Sequence, residues 1–485
     1  MIQIRLKPVT SELVGLDEKI TKILRRELTY ENKNAKYMPN PWMGRDCLLK
    51  VAGAKFTVPT GLVPRVIRKI TEEGSDYQLI NLLPVWQKDP ELHYFNDQKF
   101  TLRPYQVTAA MAAIKTNFGC GVFKMATGSG KTPTMVKLIQ LLQVKTLIVI
   151  DTKDLMYQTM NTLTQFLKCP IGQIGDGICN THDITVATYQ SIVQAYEGKK
   201  LIGAGEIKAC VENAELVVYD ECHMAACKSI QTIQRNTKKV VRTIGMSASP
   251  WRDDGLDLLM EGIVGEVLVN VSASQLIKQK YLVPAEINVQ ILDAPAAGDM
   301  TPMHYSDAPD QVYAAWVIGD IKRHSYVAEL AQNHMAQKES VLILVKSLDH
   351  GSLLESMIPG SVFMQGKLTA KQRKEILENT RSGKIKCLIA TSLADKGLDI
   401  PILSVLILAG AGASSTKALQ RLGRILRLYP AKDQELYPGT VVKTRAKIYD
   451  LVDACSTFRN QYYERQTIYH LEDEFQITKN KVSIH

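Results

Sequence analysis

The 485-residue chain has no apolar run long enough to cross a bilayer. Its apolar runs, such as Thr146 to Ile150 and Val341 to Val345, are short, far below the roughly 18–20 residues that a spanning helix needs. The opening MIQIRLKPVT has no apolar core, so no secretory signal is expected. No segment is low in complexity, and 45% hydrophobic with 22% charged residues excludes a largely disordered chain. The nine cysteines are odd in number and contain no CxxC pair, which fits reduced thiols in a cytoplasm better than a disulfide framework or a zinc site. Cys222, His223 and Cys227 have a ligand-like spacing, but Cys222 and His223 belong to a stronger motif, Asp220-Glu-Cys-His223. Acidic residues are also in deficit, 49 against 59 Lys and Arg, a net charge of +10. That surplus suits a polyanionic partner, and it equally suits a merely basic soluble protein.

At about 100–200 residues per domain, the length predicts two to four domains. Residues 1–90 carry no nucleotide motif. Val63, Val66, Ile67 and Ile70 recur at helical spacing and predict a helix over residues 62–73. Residues 1–75 hold 14 Lys and Arg against 8 Asp and Glu, more than half of the net charge. The stretch Lys33–Trp42 interleaves basic and aromatic residues with two prolines, either a loop touching a phosphate backbone or a solvated basic face around a core tryptophan. From about residue 100, strand-like runs alternate with helical stretches: VFKM, TLIVI, ITVAT, LVVYD and RTIGMS, then VLILV, SVFMQ, KCLIAT, SVLILAG and KIYDLV. Such runs between helices predict buried parallel strands in two α/β lobes. A weak internal echo supports the pairing of lobes: KTLIVIDTKDL resembles SVLILVKSLDH. The prolines of residues 284–315 predict a linker or irregular insertion.

Ala126-Thr-Gly-Ser-Gly-Lys-Thr132 lies between a strand-like run and a helical one, the setting a phosphate-binding loop requires. Gly128 and Gly130 let the backbone turn its N–H groups inward, with Thr127 and Ser129 between and before them. Lys131 can reach the terminal phosphates, and the Thr132 hydroxyl can take one position on Mg²⁺. The full pattern asks for glycine at 125, where the chain has Met125, so a Gly/Ser-rich surface turn is the competing reading. Downstream, Leu216-Val-Val-Tyr-Asp-Glu-Cys-His223 is an apolar strand ending in two acids. Asp220 can hold Mg²⁺, and Glu221 can deprotonate the attacking water.

The order of these motifs resembles that of superfamily 2 helicases and translocases over about residues 100–450. Arg103-Pro-Tyr-Gln106 resembles the adenine-reading Q-type element. Asp220-Glu-Cys-His223 resembles the DExH box. Ser247-Ala-Ser249 stands where the family has its Ser-Ala-Thr coupling motif. Ala390–Pro401 resembles motif V, which implies that Thr391 and Ser392 contact nucleic-acid phosphate and that Asp399 reaches the nucleotide. Gln420–Arg427 resembles motif VI, with Gln420, Arg424 and Arg427 at the ATP and the two arginines as fingers. The resemblance places phosphate grips at Thr152, Thr188 and Gln190 in the first lobe and at Ser347, Thr391 and Ser392 in the second. It implies an ATP- and Mg²⁺-dependent enzyme whose lobes close on ATP and reopen after hydrolysis.

Residues Tyr37–Gly44 with Trp42, then Leu48–Phe56 and Pro59–Leu62, resemble the small front domain of phage UvsW-type helicases, such as that of a T-five-like phage. In that pattern an acid commonly follows the glycine, whereas here Arg45 precedes Asp46. The expected architecture is α/β: two tandem RecA-like parallel-sheet lobes with a small N-terminal α+β DNA-binding domain. Its expected limits are 1–90 for the front domain, 91–270 and 271–454 for the lobes, and 455–485 for a C-terminal tail. The family implies a monomeric motor on forked or four-way junction DNA, in the host cytoplasm and not at a membrane. An RNA helicase and a DNA-translocating subunit of a restriction or remodelling complex remain open alternatives.

Overall fold

The computed structural model describes residues 1–33, 44–88, 101–167, 169–198, 201–226, 228–250, 254–294, 309–391, 400–410, 422–429, 435 and 442–485. Trp42, Cys227, Ser392, Asp399 and Gln420 lie outside the described residues. The chain forms two compact units, one of Met1–Met125 and Gly130–Val271, the other of Ala126–Ser129 and Ser272–His485.

The first unit opens with short alternating segments. β1 (Ile2–Leu6) buries Ile2, Ile4 and Leu6, the period of two expected where one face of a sheet is covered. With β2 (Thr10–Val14), β3 (Lys50–Ala52), β4 (Lys55–Pro59) and β5 (Tyr77–Asn81) it forms a sheet of order β3-β4-β2-β1-β5, antiparallel except for β1 with β5. Helix Glu18–Glu27 starts at Asp17, whose carboxylate accepts the Ile20 N–H at 2.7 Å. Helix Val63–Glu72 falls inside the expected 62–73 and buries Val63, Val66 and Ile70. These residues pack into the rest of the unit. A Cβ on Gly61 would lie 2.0 Å from the Glu261 carbonyl oxygen, so the turn Thr60–Leu62 approaches helix Asp257–Val264 as only glycine permits. Beside it the Arg65 guanidinium forks onto Glu261 at 2.9 and 2.7 Å and donates to Glu27 at 2.7 Å.

The longer apolar runs make the second sheet of this unit: β6 (Cys120–Met125), β7 (Thr146–Ile150), β8 (Ile171–Gly175), β9 (Ile178–Asn180), β10 (Ile184–Thr188), β11 (Leu216–Asp220), β12 (Arg242–Ser247) and β13 (Val267–Val271). Their order is β9-β8-β10-β7-β11-β12-β6-β13, all parallel except the β8–β9 hairpin. β7 and β10 are buried at every residue, as a parallel sheet covered on both faces requires. β8 and β13 escape a reading by apolar runs, because Gly172 and Gln173 interrupt one and Asn270 the other.

The second unit holds an all-parallel sheet of seven strands: β14 (Ala285–Leu292), β15 (Val341–Val345), β16 (Ser361–Met364), β17 (Cys387–Thr391), β18 (Val405–Leu408), β19 (Ala446–Val452) and β20 (Phe475–Val482). The order is β16-β17-β15-β18-β19-β14-β20. Two expectations are corrected here. The region expected to be linker contains β14, which buries Ala285, Ile287 and Val289 between β19 and β20, with Pro284 just before its first residue, where proline is tolerated. Residues 455–485, expected as a C-terminal tail, hold a helix and the last strand of the sheet. Helix Ser456–Tyr469 is anchored by Arg465, which donates to the buried Asp450 at 2.7 and 3.0 Å, while the Tyr469 hydroxyl donates to the same carboxylate at 2.9 Å. β20 is an edge strand, mostly exposed and polar, so no apolar run announces it. Among the described residues, no helix is long and apolar enough to cross a membrane.

Candidate functional site

Parallel strands bring their carboxyl ends to one edge, where open α/β sheets place their sites. In the first unit β11, β12 and β6 are successive neighbours, and each ends in one of the motifs. β11 ends at Asp220, β12 at Ser247, and β6 runs into the loop carrying Thr127, Gly128, Ser129 and Gly130. Gly128 and Gly130 have φ of +85° and +82°, left-handed backbone that an L side chain rarely adopts. The Ser129 N–H donates to the Ala126 carbonyl at 3.1 Å, and helix Lys131–Leu142 follows at once, with Lys131 and Thr132 in its first turn. A helix start has unpaired N–H groups and a partial positive charge, which suits phosphate.

Gln106 is set against this loop. Its Oε1 accepts the Arg103 N–H at 2.9 Å, and its Nε2 donates to the Gly130 carbonyl at 3.4 Å. The Arg103 guanidinium donates to the Tyr105 hydroxyl at 2.9 Å.

Glu221 is the hub. Its Oε1 lies 3.0 Å from the Lys131 ammonium, its Oε2 accepts from the Ser247 hydroxyl at 3.0 Å, and His223 Nδ1 stands 3.4 Å from the same oxygen. The Ser247 oxygen in turn accepts the Ser249 N–H at 3.2 Å, so the Asp220-Glu-Cys-His223 and Ser247-Ala-Ser249 segments share one network. Glu221 has φ of +53°, a strained backbone for a non-glycine residue, costing on the order of 1–3 kcal/mol. Asp220 accepts the Glu221 N–H at 3.1 Å. Burial, with the Glu221 charge adding to it and Lys131 opposing, raises the Asp220 carboxyl to about 6. Burial works in the same direction on Glu221, but Lys131 and His223 overcome it and hold that carboxyl well below its ordinary value. Lys131 is held above its ordinary value: burial alone would lower it, and the Glu221 and Asp220 carboxylates outweigh that. A buried carboxylate that ionises reluctantly is a fitting ligand for a divalent cation, whose charge offsets the cost of ionising it. Asp220 and the Thr132 hydroxyl are the residues present that could hold one.

The expected phosphate grips lie along the same edge, on the neighbouring strands. β7 and β10 pair with Ile150 opposite Thr188. Thr152 caps helix Lys153–Leu167, its hydroxyl accepting the Leu155 N–H at 3.4 Å, and the exposed Gln190 donates to the Asp151 carbonyl at 3.0 Å. Thr188 is buried and its hydroxyl bonds to that of Ser191 at 2.9 Å. A cavity of about 400 Å³, lined in part by Lys145, His182, Asp183 and Glu206, opens at the opposite, amino ends of β7 and β10.

The second unit repeats this layout. β15 and β17 pair with Val345 opposite Thr391, which brings Ser347 and Thr391 to the ends of adjacent strands. Ser347 caps helix Leu348–Met357 by accepting the His350 N–H at 3.3 Å. Two residues missed in the sequence stand behind it. The Tyr313 hydroxyl accepts the Lys346 N–H at 3.1 Å and bonds to His350 Nδ1 at 2.7 Å. His350, three residues after the cap, was the available signal; nothing in the sequence pointed to Tyr313. Arg424 sits on the short helical turn of residues 422–425, Arg427 lies just past it in an antiparallel bridge with Leu282, and the Leu426 carbonyl between them accepts the Val283 N–H at 2.9 Å.

Comparison with known proteins adds the family. Residues 99–252 match the family described as Type III restriction enzyme, res subunit, and residues 322–429 match the Helicase conserved C-terminal domain. The chain belongs to the superfamily 2 helicases. It is similar to the DNA 3'-5' translocase XPB2 of Sulfurisphaera tokodaii, 26% identical over 372 residues that cover 70% of this chain and 80% of that one. It is also similar to the ATP-dependent DNA helicase uvsW of Enterobacteria phage T4, 23% identical over 352 residues, 69% of this chain and 65% of that one. A solved structure of the ATP-dependent Type ISP restriction-modification enzyme LlaBIII bound to DNA has the same fold, with a TM-score of 0.56 and 16% identity over 86% of this chain and 36% of that one. This superfamily 2 protein is thus an ATP-dependent helicase.

Proposed function

We propose that this helicase is an ATP- and Mg²⁺-dependent motor that moves along DNA and remodels forks and four-way junctions in phage replication, recombination or repair. The observation that carries the reading is the Lys131–Glu221–Ser247 constellation on three adjacent strand ends, beside the capped edge of Thr152 and Gln190. The loop N–H groups and Lys131 hold the phosphates, with Gln106 and Arg103 on the adenine side and Asp399 reaching the nucleotide. Thr132 and Asp220 would hold Mg²⁺, which when bound would supply charge neutralisation. When Lys131 turns to phosphate, the Glu221 carboxylate is released to take a proton from water. The water oxygen bonds to the γ-phosphorus, and the bond to the ADP oxygen breaks. Gln420, Arg424 and Arg427 stabilise the charge that develops. His223, Ser247 and Ser249 pass the phosphate state to the DNA grips Thr152, Thr188, Gln190, Ser347, Thr391 and Ser392, with Trp42 in the front domain.

The junction role draws support from a basic face at the front of the chain. Lys7 and Lys55 pair with Glu12, Lys19 with Glu73, and Lys69 with Glu72. Lys22, Arg25 and Arg26, on one face of helix Glu18–Glu27, are exposed and make no ion pair among the described residues. Three uncompensated cations at this spacing suit a phosphate backbone. We take the motor to act as a monomer in the host cytoplasm.

The match of residues 99–252 to a restriction-enzyme subunit favours a second reading, a DNA-translocating motor within a larger complex. One experiment separates the readings: ATP-dependent remodelling of a fork, a four-way junction and a matched RNA duplex by the purified chain. Turnover of the DNA junctions alone supports the proposal. Preference for RNA overturns it, and DNA-stimulated ATPase without remodelling points to the translocating subunit.

A further inference from the structure

Lys443 is a buried lysine that the ATP cycle described above does not use. It has no carboxylate partner among the described residues. Its ammonium instead donates to two backbone carbonyls, Ile425 at 2.6 Å and Leu403 at 2.7 Å. Ile425 lies between Arg424 and Arg427, and Leu403 closes the turn that follows the motif V segment, where its N–H donates to the Ile400 carbonyl. The contacts are short and charge-assisted, and burial leaves them no competing water. The next carbonyl, Leu426, is taken by the Val283 N–H at 2.9 Å, so the backbone bearing the two arginines is fixed at consecutive peptide groups from two directions.

A buried ammonium is costly, and the structure registers that cost. Burial first, and then the neighbouring Arg427 charge, pull the Lys443 ammonium down to about 7. An apolar residue of the same length would fill the space without that penalty. What it could not supply is a donor to both carbonyls at once.

We propose that Lys443 is a positioning residue for ATP hydrolysis: it staples the segment carrying Arg424 and Arg427 to the end of the motif V segment and so fixes the pose of the arginine pair. The inference rests on the reading of Arg424 and Arg427 as arginine fingers. Lys443 does not itself touch nucleotide. Its effect passes through the arginines, and a double-mutant cycle detects that dependence.

The test uses the full-length protein and four variants: Lys443→Met, Lys443→Gln, the Arg424→Ala/Arg427→Ala pair, and Lys443→Met added to that pair. DNA-stimulated ATPase activity is read as kcat and KM, with melting temperature as the control for folding. In the wild-type background Lys443→Met is expected to lower kcat 10- to 100-fold and to change KM for ATP less than threefold. Lys443→Gln keeps a neutral donor and is expected to fall between, which keeps the test open if the methionine variant is poorly folded. With both arginines already removed, Lys443→Met is expected to cost less than a further twofold. Full kcat in both single Lys443 variants, or losses that multiply in the triple variant, overturn the staple. Full turnover in the arginine pair variant alone overturns the finger reading, and the staple falls with it.

Discussion

The Lys131 ammonium lies 3.0 Å from the Glu221 carboxylate, although the two residues belong to different strand ends and different motifs. The pair joins the phosphate-binding lysine to the acid that can deprotonate water, and Ser247 holds the other Glu221 oxygen. A left-handed φ of +53° at Glu221 keeps its side chain aimed at both.

Glu221→Gln therefore separates binding from chemistry. The amide preserves shape: its oxygen can accept from Lys131 and its NH2 can donate to the Ser247 hydroxyl oxygen, but it takes up no proton. ATP affinity, read with a fluorescent analogue, is expected to stay within about threefold, while phosphate release falls about 10²–10⁴-fold. Loss of ATP binding would instead make Glu221 a structural support for the loop.

Gly130→Ala tests the loop geometry. The position has φ of +82°, and the added Cβ would sit 2.3 Å from Gln106 Nε2. The loop and the Gln106 side chain cannot both keep their places, so ATP binding is expected to weaken at least tenfold with little change in melting temperature. Gly53→Ala, also at positive φ but with open space around its Cβ, is the matched control and should leave ATP binding intact.

The basic face at the front can be tested apart from the motor. Replacing Lys22, Arg25 and Arg26 by Ala is expected to weaken fork and four-way-junction binding about tenfold or more and to reduce its salt slope by about two to three. ATPase activity stimulated by single-stranded DNA should persist. Unchanged junction affinity would move the binding surface elsewhere in the chain.

Much of this molecule was legible in the sequence because its signals are local. TLIVI, ITVAT and LVVYD are uninterrupted apolar runs that become buried parallel strands, and a Gly-Ser-Gly-Lys-Thr run before a helix has few other uses. The motif order assigns Lys131 and Glu221 to the ATP and Ser247 to coupling, and the fold joins the two through the Ser247–Glu221 hydrogen bond. The failures are equally physical. β20 is an exposed polar edge, and Glu286, Asn288 and Gln290 interrupt the apolar residues of β14, so neither reads as an apolar run. Arg65 reads as one more surface charge on a helix, and only the fold brings Glu261 to it. Lys443 and Tyr313 act through backbone groups of distant segments, for which side-chain pattern has no signature.

The same buried polar cluster around Tyr313 predicts how stability depends on pH. His350 and His324 are buried with ring centroids 5.0 Å apart, beside the buried Arg323 guanidinium, which is itself paired with Asp453. Burial, then Arg323 and His324, pull the His350 imidazole down to about 2, and burial also lowers His324. In the fold the His350 ring stays neutral and the His324 ring resists protonation, whereas in the unfolded chain each titrates near 6.5. The unfolded state therefore binds more protons below that value, so the stability from this pair is complete above pH 6.5 and is lost as pH falls. For His350 alone the loss at pH 5 is about 2 kcal/mol. Melting temperature is expected to drop between pH 7.5 and pH 5 in the wild type. His350→Gln, which can still accept from Tyr313, should melt lower at pH 7.5 but show a shallower drop, and His324→Gln/His350→Gln a shallower one still. Equal pH slopes in wild type and both variants would show that the histidines are already protonated in the fold or that they titrate alike in both states.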